Sequence, residues 1–599
     1  MNIITCLFTL LGGMVIMGYS SEKVRLNQLG YYPRQEKVAV VNDGDIREFA
    51  VVDVATGNCV FTCKPEYTAL SAWSDKKRSI LNFSNVTVPG NYFLIVEEDT
   101  TAFEIKDNVL SPLADAALKS FYYQRTAIPI EERYAGKWSR PAAHLDTHVL
   151  IHSNAVGPVR TEGMVISSSK GWYDAGDYNK YIVNSAYSVG LMQAVYRLFP
   201  DYFANQQINI PESTNHIPDL LDEIYYNLSW MLTMQDPDDG GVYHKLTTSS
   251  FEGFIKPTEC RNPRFVIRKS VTATLDYAAT LAQASCLFAP YSQDYPGFSE
   301  LALKAAERAY AWAEAHPRAF YNQEQLNKQY HPVIMTGAYS DTNADDEFFW
   351  AASELYLATG KKAYREKVVE TFPYIYETPS WGGTAALGIF AWLQPKKELI
   401  GDDIVLARAL KGMLLDYASK SVKGADCSPF YASYGNDVKD FFWGCLAEKC
   451  VNQGTSLVYA YLLSGEETYL ENAYRNMDYI LGRNATGYCY ITGFGTKSPI
   501  HPHHRLSASD GIEAPIPGFL VGGPNPRQQD GVTYPSNLPD ESYADVEDSY
   551  ASNEIAINWS AALVALVSSL DALSGIYSYG NHQTDINYKK HNFTNSIFH

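Results

Sequence analysis

The sequence predicts a multidomain chain, a small β-sandwich followed by an all-α toroid. Three observations predict it. The chain has 599 residues, more than one hydrophobic core accommodates. Between Val24 and Lys106 it is built from short β-branched and aromatic runs separated by turn residues. Beyond them, apolar residues recur at helical spacing almost to the end.

The elements follow in order. "MNIITCLFTLLGGMVIMGYSS" is apolar, short for a membrane span, and ends in small residues. Residues 1–20 therefore read as a secretory signal, with no transmembrane span and a secreted or periplasmic destination. Residues 21–107 contain "KVAVV", "EFAVVDV", "NCVFTC" and "NYFLIVEED", broken by "NDGD", "ATGN" and "PGN". Such short, turn-bounded runs are strands of a sandwich.

After "DNVLSPLADAALKSFYYQR" the period changes. "IPDLLDEIYYNLSWMLTMQ", "SVTATLDYAATLAQASCLFA", "SELALKAAERAYAWAEAH", "DDEFFWAASELYLATG", "DIVLARALKGMLLDYASK" and "NEIAINWSAALVALVSSLDALSG" carry helical periodicity. Two segments, "ELYLATGKKAY" and "YAYLLSGEETY", echo each other. In each a helix runs into a glycine, Gly360 or Gly465, suited to the left-handed position after a helix end. Paired helices with long irregular inserts give a toroid over residues 108–577, with chemistry in the loops at one end. The polar residues 578–599 form a tail.

Composition narrows the function. The net charge of −19 excludes a nucleic-acid partner, which requires a basic footprint. Aromatic residues make up 13% of the chain, including 44 Tyr and 10 Trp, a surplus that suits ligands with flat apolar faces such as sugars. The cysteines after Cys6 are scattered without a CxxC pair, so buried thiols are expected rather than a disulfide framework.

Three stretches concentrate polar chemistry. "GWYDAGDYNKYIVNSA" places Asp174 and Asp177 among aromatic rings, Trp172, Tyr173, Tyr178 and Tyr181, that fit a sugar-binding wall. "YITGFGTKSPIHPHHRLS" bunches His501, His503, His504 and Arg505. "YADVEDSYASNEIAINWSA" sets Asp545, Glu547, Asp548 and Glu554 ahead of a helix. Taken singly each has an ordinary reading: Asp174 as a turn cap, the histidines as surface groups without metal spacing, Ser552 or Asn553 as a helix cap. Together they supply the parts of carboxylate-driven glycoside hydrolysis. One acid stays protonated to serve the leaving oxygen, another stays ionised to activate water, and His and Arg hold hydroxyls.

The same stretches resemble the signatures of glycoside hydrolase family 9, the cellulase family with an (α/α)6 barrel. "WYDAGDYNKY" resembles its DAGD segment, which implies Asp177 as catalytic base and Asp174 as its helper. "YITGFGTKSPIHPHHR" resembles its first signature and implies substrate contacts from His503 and Arg505. "YADVEDSYASNEIAINWSA" resembles its second and implies Asp545 as a substrate-binding residue nine positions before the general acid Glu554. "VRLNQLGYYPRQEKVAVV" resembles the start of the immunoglobulin-like module that precedes the barrel in one branch. The resemblance spans residues 110–575. It departs at Cys489, where Ser, Thr or Val is usual, and at Ser560, where Asn is usual; neither position is a proposed catalytic group.

The resemblance also bears on metals. Some relatives hold a structural zinc, but Thr126 and Ala143 stand at the cysteine positions and only His144 remains, so no zinc is expected there. "DTNADDEFFW" resembles a calcium loop and implies Asp346 and Glu347 as ligands, the rival reading being an acidic helix cap. A further ligand in relatives falls where this chain reads "SWGGT". The reaction itself requires no cofactor.

The expectation is thus a monomeric, secreted, inverting hydrolase acting on β-1,4-glucan polysaccharide or oligosaccharide, an endoglucanase. Inversion requires acid and base carboxyls about 6.5–9.5 Å apart. The alternatives are another β-glycan specificity (xyloglucan, mixed-linkage glucan or exo-cleavage of glucosamine oligomers) and a non-catalytic glycan-binding protein.

Overall fold

The computed structural model describes residues 22–578 except 43 and 395–398. The predicted leader and the tail beyond Ser578 lie outside the described residues. The N-terminal unit is a sandwich of two four-stranded antiparallel sheets. One has the order β1 (Val24–Arg25), β2 (Val38–Asn42), β6 (Lys77–Asn82), β5 (Tyr67–Leu70); the other β4 (Cys59–Cys63), β3 (Phe49–Asp53), β7 (Gly90–Val96), β8 (Asp99–Ile105).

Strand periodicity explains why β2 is buried on both faces. Successive side chains point to opposite sides. Ala39 and Val41 therefore enter the sandwich core, with Leu81 from β6. Val38 and Val40 face the other way and join the core of the helical unit, with Ile80.

The helical unit contains α1 (Ser111–Gln124), α2 (Ile182–Leu198), α3 (Asp219–Met231), α4 (Val271–Phe288), α5 (Phe298–Ala315), α6 (Asp345–Thr359), α7 (Lys362–Glu370), α8 (Ala385–Trp392), α9 (Asp402–Ser421), α10 (Asn452–Ser464), α11 (Glu467–Ile480) and α12 (Ile557–Ser578). Helices α2, α4, α6, α8, α10 and α12 are buried along most of their length. Packing runs α12–α2–α4–α6–α8, and α9 bridges α8 to α10, which returns to α12. These helices form the inner ring. The others lie outside; α5 shows the pattern, burying Phe298, Ala302, Ala305, Ala309 and Trp312 on one stripe against α4.

The repeated hairpin is present as predicted. Gly360 ends α6 at φ 69° and Gly465 ends α10 at φ 79°, both in the left-handed conformation that glycine adopts without penalty. Within α12 the run Ile557–Ser574 is long and apolar enough to cross a membrane, but 94% of it is buried inside the fold, so it is a core helix.

A small sheet was not anticipated. Strands β9 (Val149–Ile151), β10 (Val165–Ile166), β11 (Lys180–Tyr181), β12 (Lys245–Thr247) and β13 (Phe265–Val266) pair in the order β10-β9-β13-β12-β11. It ties together the long inserts beside the DAGD turn, which β11 directly follows. The described cysteines are all unpaired, and Cys445, Cys450 and Cys489 are buried.

Candidate active site

The three polar stretches interlock at one end of the ring through their backbones. The Ile557 N–H, at the start of α12, donates to the Asp174 carbonyl at 2.8 Å, and Ala175 bridges Ala556. The Arg505 N–H donates to the Gly176 carbonyl at 3.1 Å. His503 pairs with Glu554 in a parallel bridge, and its N–H donates to Asn553 O at 2.9 Å. Gly176 is required for this fit: a Cβ there would lie 2.2 Å from the His503 carbonyl oxygen.

Each aspartate of the turn has its own donors. Asp174 Oδ1 accepts from Asn184 Nδ2 at 2.8 Å and Oδ2 from the Tyr339 hydroxyl at 2.6 Å. Asp177 Oδ2 accepts from Asn179 Nδ2 at 2.6 Å and the Tyr181 hydroxyl at 3.0 Å, leaving Oδ1 to face a reactant. Burial, and then the charge of Asp177, push the Asp174 carboxyl up to about 8. Burial likewise holds Glu554 well above the ordinary carboxylate range, with Asp177 adding and Arg505 opposing. Acids that repel across a dry site cannot all ionise together. The arrangement favours the protonated form of Glu554, while Asp177 is anchored by neutral donors.

His503 Nδ1 donates to Glu547 O at 2.7 Å, which leaves Nε2 as an acceptor. Burial lowers the His503 pKa. Arg505 is pinned by Nη1 to Gly176 O at 2.8 Å and Nε to Glu252 O at 2.7 Å, and its guanidinium lies over Phe251 and Phe254. Asp545 is directed at the protein's own chain. Its carboxylate takes the Ile500 and His501 N–H groups and Asn553 Nδ2. It therefore braces the histidine turn, and the expectation that it binds sugar gains no support.

Two further expectations are corrected. Ser552 and Asn553 do not cap α12: Asn553 is spent on His501 O and Asp545, Ser552 on Ser549 and the Ala544 N–H. The rings of the DAGD stretch are not a sugar wall either. Trp172, Tyr173, Tyr178 and Tyr181 are all buried, and Trp172 Nε1 donates to Glu223. The exposed rings near the site are Phe251 and Trp443; Trp443 is linked through Tyr550 and His503 to Phe254 by edge contacts, and Phe251 lies against the Arg505 guanidinium. On the other side Trp381 meets Tyr339 edge-on at 5.0 Å. These rings sit in inserts with no pattern that marks them in a single sequence.

Asp346 and Glu347 lie in the first turn of α6. Asp346 Oδ2 accepts from the Thr384 N–H at 2.8 Å. Both carboxylate oxygens of buried Glu347, and both of Asp276 on α4, have no hydrogen-bond partner. Burial and then the charge of Asp346 hold both groups well above the carboxylate range, with Asp276 adding to the effect on Glu347. Among the described residues no group of three or more His, Cys, Asp and Glu side chains converges to hold a metal ion. At the position of the relatives' zinc, Thr126 donates to Lys170 O and His144 Nδ1 meets the Tyr173 hydroxyl at 2.6 Å. Burial depresses His144 to about 2.

A ring of paired helices that gathers three acids, Asp174, Asp177 and Glu554, at one site is consistent with a glycoside hydrolase. The chain belongs to glycosyl hydrolase family 9, whose model matches residues 111–567, and the cellulase N-terminal immunoglobulin-like domain matches residues 19–101. It is 66% identical over 578 residues to a xyloglucan-specific endo-β-1,4-glucanase of Bacteroides ovatus, covering 96% of this chain and 98% of that one. It is 32% identical to endoglucanase D of Acetivibrio thermocellus, over 94% and 85% of the two chains. A solved Bacteroides ovatus family 9 structure superposes with TM-score 0.90 at 67% identity, covering 92% of this chain and 99% of that one. A thermostable endoglucanase from Alicyclobacillus acidocaldarius superposes at 0.80 with 29% identity, covering 92% and 100%. The protein is a hydrolase of the endoglucanase kind, an immunoglobulin-like sandwich followed by a helical barrel.

Proposed function

We propose that the protein is an inverting endo-β-1,4-glucanase whose substrate is xyloglucan. The observation that supports the chemistry is the burial of Glu554 within the field of Asp177, which together hold its carboxyl well above the ordinary range. Glu554 donates its proton to the glycosidic oxygen as the C1–O bond breaks. Asp177 takes a proton from water as the water oxygen bonds to C1 from the opposite face. Asp174, held by Tyr339 and Asn184, fixes the turn that carries Asp177. His503 Nε2 accepts from a sugar hydroxyl, and Arg505 holds the wall beneath Phe251 and Phe254. The substrate reading is supported by the xyloglucan-specific relative, which matches almost the whole chain. Proton NMR of early products should show the α-anomer first, with xyloglucan cut faster than unbranched or mixed-linkage glucan and polymer viscosity falling early. A β-anomer first would overturn the mechanism. A single small product from the outset would overturn endo action, and binding without turnover would favour a glycan-binding protein.

We also propose export by the N-terminal leader and action as a monomer; a cytoplasmic precursor of unchanged mass, or a dimer by light scattering, would overturn these. A second reading, a structural calcium, is favoured by the unpartnered oxygens of Asp276 and Glu347. Oxygen donors suit a hard cation, with backbone carbonyls and water completing its shell. EDTA should then lower Tm and calcium restore it; an unchanged Tm overturns the reading.

A further inference from the structure

Strand β12 carries a buried cation that the reaction does not touch. Lys245 is fully buried and makes no ion pair among the described residues. Its Nζ donates to Gln323 Oε1 at 2.7 Å, Thr336 Oγ1 at 3.1 Å and Gly337 O at 2.7 Å, which uses the three donors of an ammonium. The neighbouring His244 donates from Nε2 to Ala338 O at 2.7 Å. Together they grip Thr336 by its hydroxyl and Gly337 and Ala338 by successive backbone carbonyls.

That segment serves both aspartates. It ends in Tyr339, held at φ 45°, a left-handed conformation unusual for an aromatic residue, with its hydroxyl on Asp174. The Gly337 N–H donates to the Tyr181 oxygen at 3.2 Å, and the Tyr181 hydroxyl donates to Asp177. A second run leaves the same ammonium. Thr336 Oγ1 meets Thr247 Oγ1 at 2.7 Å, Thr247 donates to Thr248 O, and the Thr248 N–H donates to Asn179 Oδ1 at 2.9 Å. Asn179 Nδ2 then reaches Asp177 Oδ2. Both runs from Lys245 end on one oxygen of Asp177.

We propose that Lys245, assisted by His244, is the positioning residue of the catalytic base, fixing both donors of Asp177 and the loop that delivers Tyr339. The inference rests on the reading of Asp177 as base. The titratable groups facing Asp177 are Asp174 and Tyr181 from its own segment, Lys245 from β12, Tyr339, His503 and Glu554. Burial pushes the Lys245 pKa well down and Asp177 opposes the fall, so what its loss removes is the set of ordered donors from which both runs start.

The test compares Lys245→Met, Thr336→Val and Asp177→Ala with the wild type on one glucan, each checked by circular dichroism and Tm. In folded Lys245→Met, kcat should fall about 10–100-fold with KM within about two-fold. The acid limb of the kcat/KM profile should move to higher pH, because an ionised base has lost support. Thr336→Val, which removes a hydroxyl and leaves the lysine, should shift both readouts less and in the same direction. It decides the matter if Lys245→Met does not fold. A folded variant with wild-type kcat and acid limb, or one whose activity loss follows Tm without moving the limb, overturns the proposal. If Asp177→Ala keeps its turnover, the base assignment fails; if it is inactive while both other variants behave as wild type, the role of Lys245 alone fails.

Discussion

Asp174 and Glu554 are costly residues to bury, and the cost identifies their work. Asp174→Ala should lose less turnover than Asp177→Ala, which should fall by about 10²–10⁴-fold with glycan affinity retained, as initial rates and binding isotherms would show. Stability should move oppositely. The Asp174 carboxyl rises from 3.8 to about 8 on folding. Between those values the folded chain holds a proton that the unfolded chain has released, so stability falls as pH rises through that window. Asp174→Asn, which cannot ionise, should raise Tm at pH 8, by about 0.5–2 kcal/mol in stability, and gain less at pH 5. Calorimetry at the two pH values checks this; an equal gain at both would mean that the carboxyl is not strained by ionisation.

At the scale of elements, the inner ring depends on small residues where helices meet. Gly190 of α2 faces Trp350 of α6, and a Cβ there would lie 2.4 Å from the indole Cζ2. Gly190→Ala should gain helix propensity yet lose about 1–3 kcal/mol to overpacking, a drop measurable as a lower Tm. Helices of this kind were legible because the apolar runs were long, and α6–α7 and α10–α11 because a glycine punctuates each. The sheet β9–β13 was not, since strands such as Val165–Ile166 and Lys180–Tyr181 are too short to carry a period. The site shows the same division. Asp174, Asp177, His503, Arg505 and Glu554 were proposed from local motifs, whereas Tyr339 and Lys245 reach the centre through inserts that only folding brings together, and Asn184 lay inside the DAGD stretch without a signal of its own. Asp545 was placed in the right neighbourhood with the wrong orientation, because spacing does not reveal which way a carboxylate turns.

Across the whole molecule, the sandwich and the barrel share a core. Val38, Val40 and Ile80 of the sandwich pack into the barrel's cluster. Around them run polar ties: Asn27 Nδ2 to Asp478 at 2.8 Å, Arg475 to Glu36 at 2.7 Å, Trp73 Nε1 to Asp540 at 2.7 Å, and Lys76 to Glu541 at 2.6 Å. Arg475, Asp478 and Asp540 are buried, so separating the units would cost these barrel groups part of their hydrogen bonding, with Arg475 keeping Asp426 and Asp478 keeping Arg483, a loss added to that of apolar exposure. The units should therefore unfold together. Calorimetry should give one transition with calorimetric and van't Hoff enthalpies in agreement. Ile80→Ala, a truncation on the barrel-facing side of the sandwich, should cost about 2–5 kcal/mol and lower that single transition without splitting it. A separate sandwich peak, or a barrel transition indifferent to Ile80, would show that the module is only tethered. A shared transition would instead make the N-terminal unit part of what holds the catalytic ring closed.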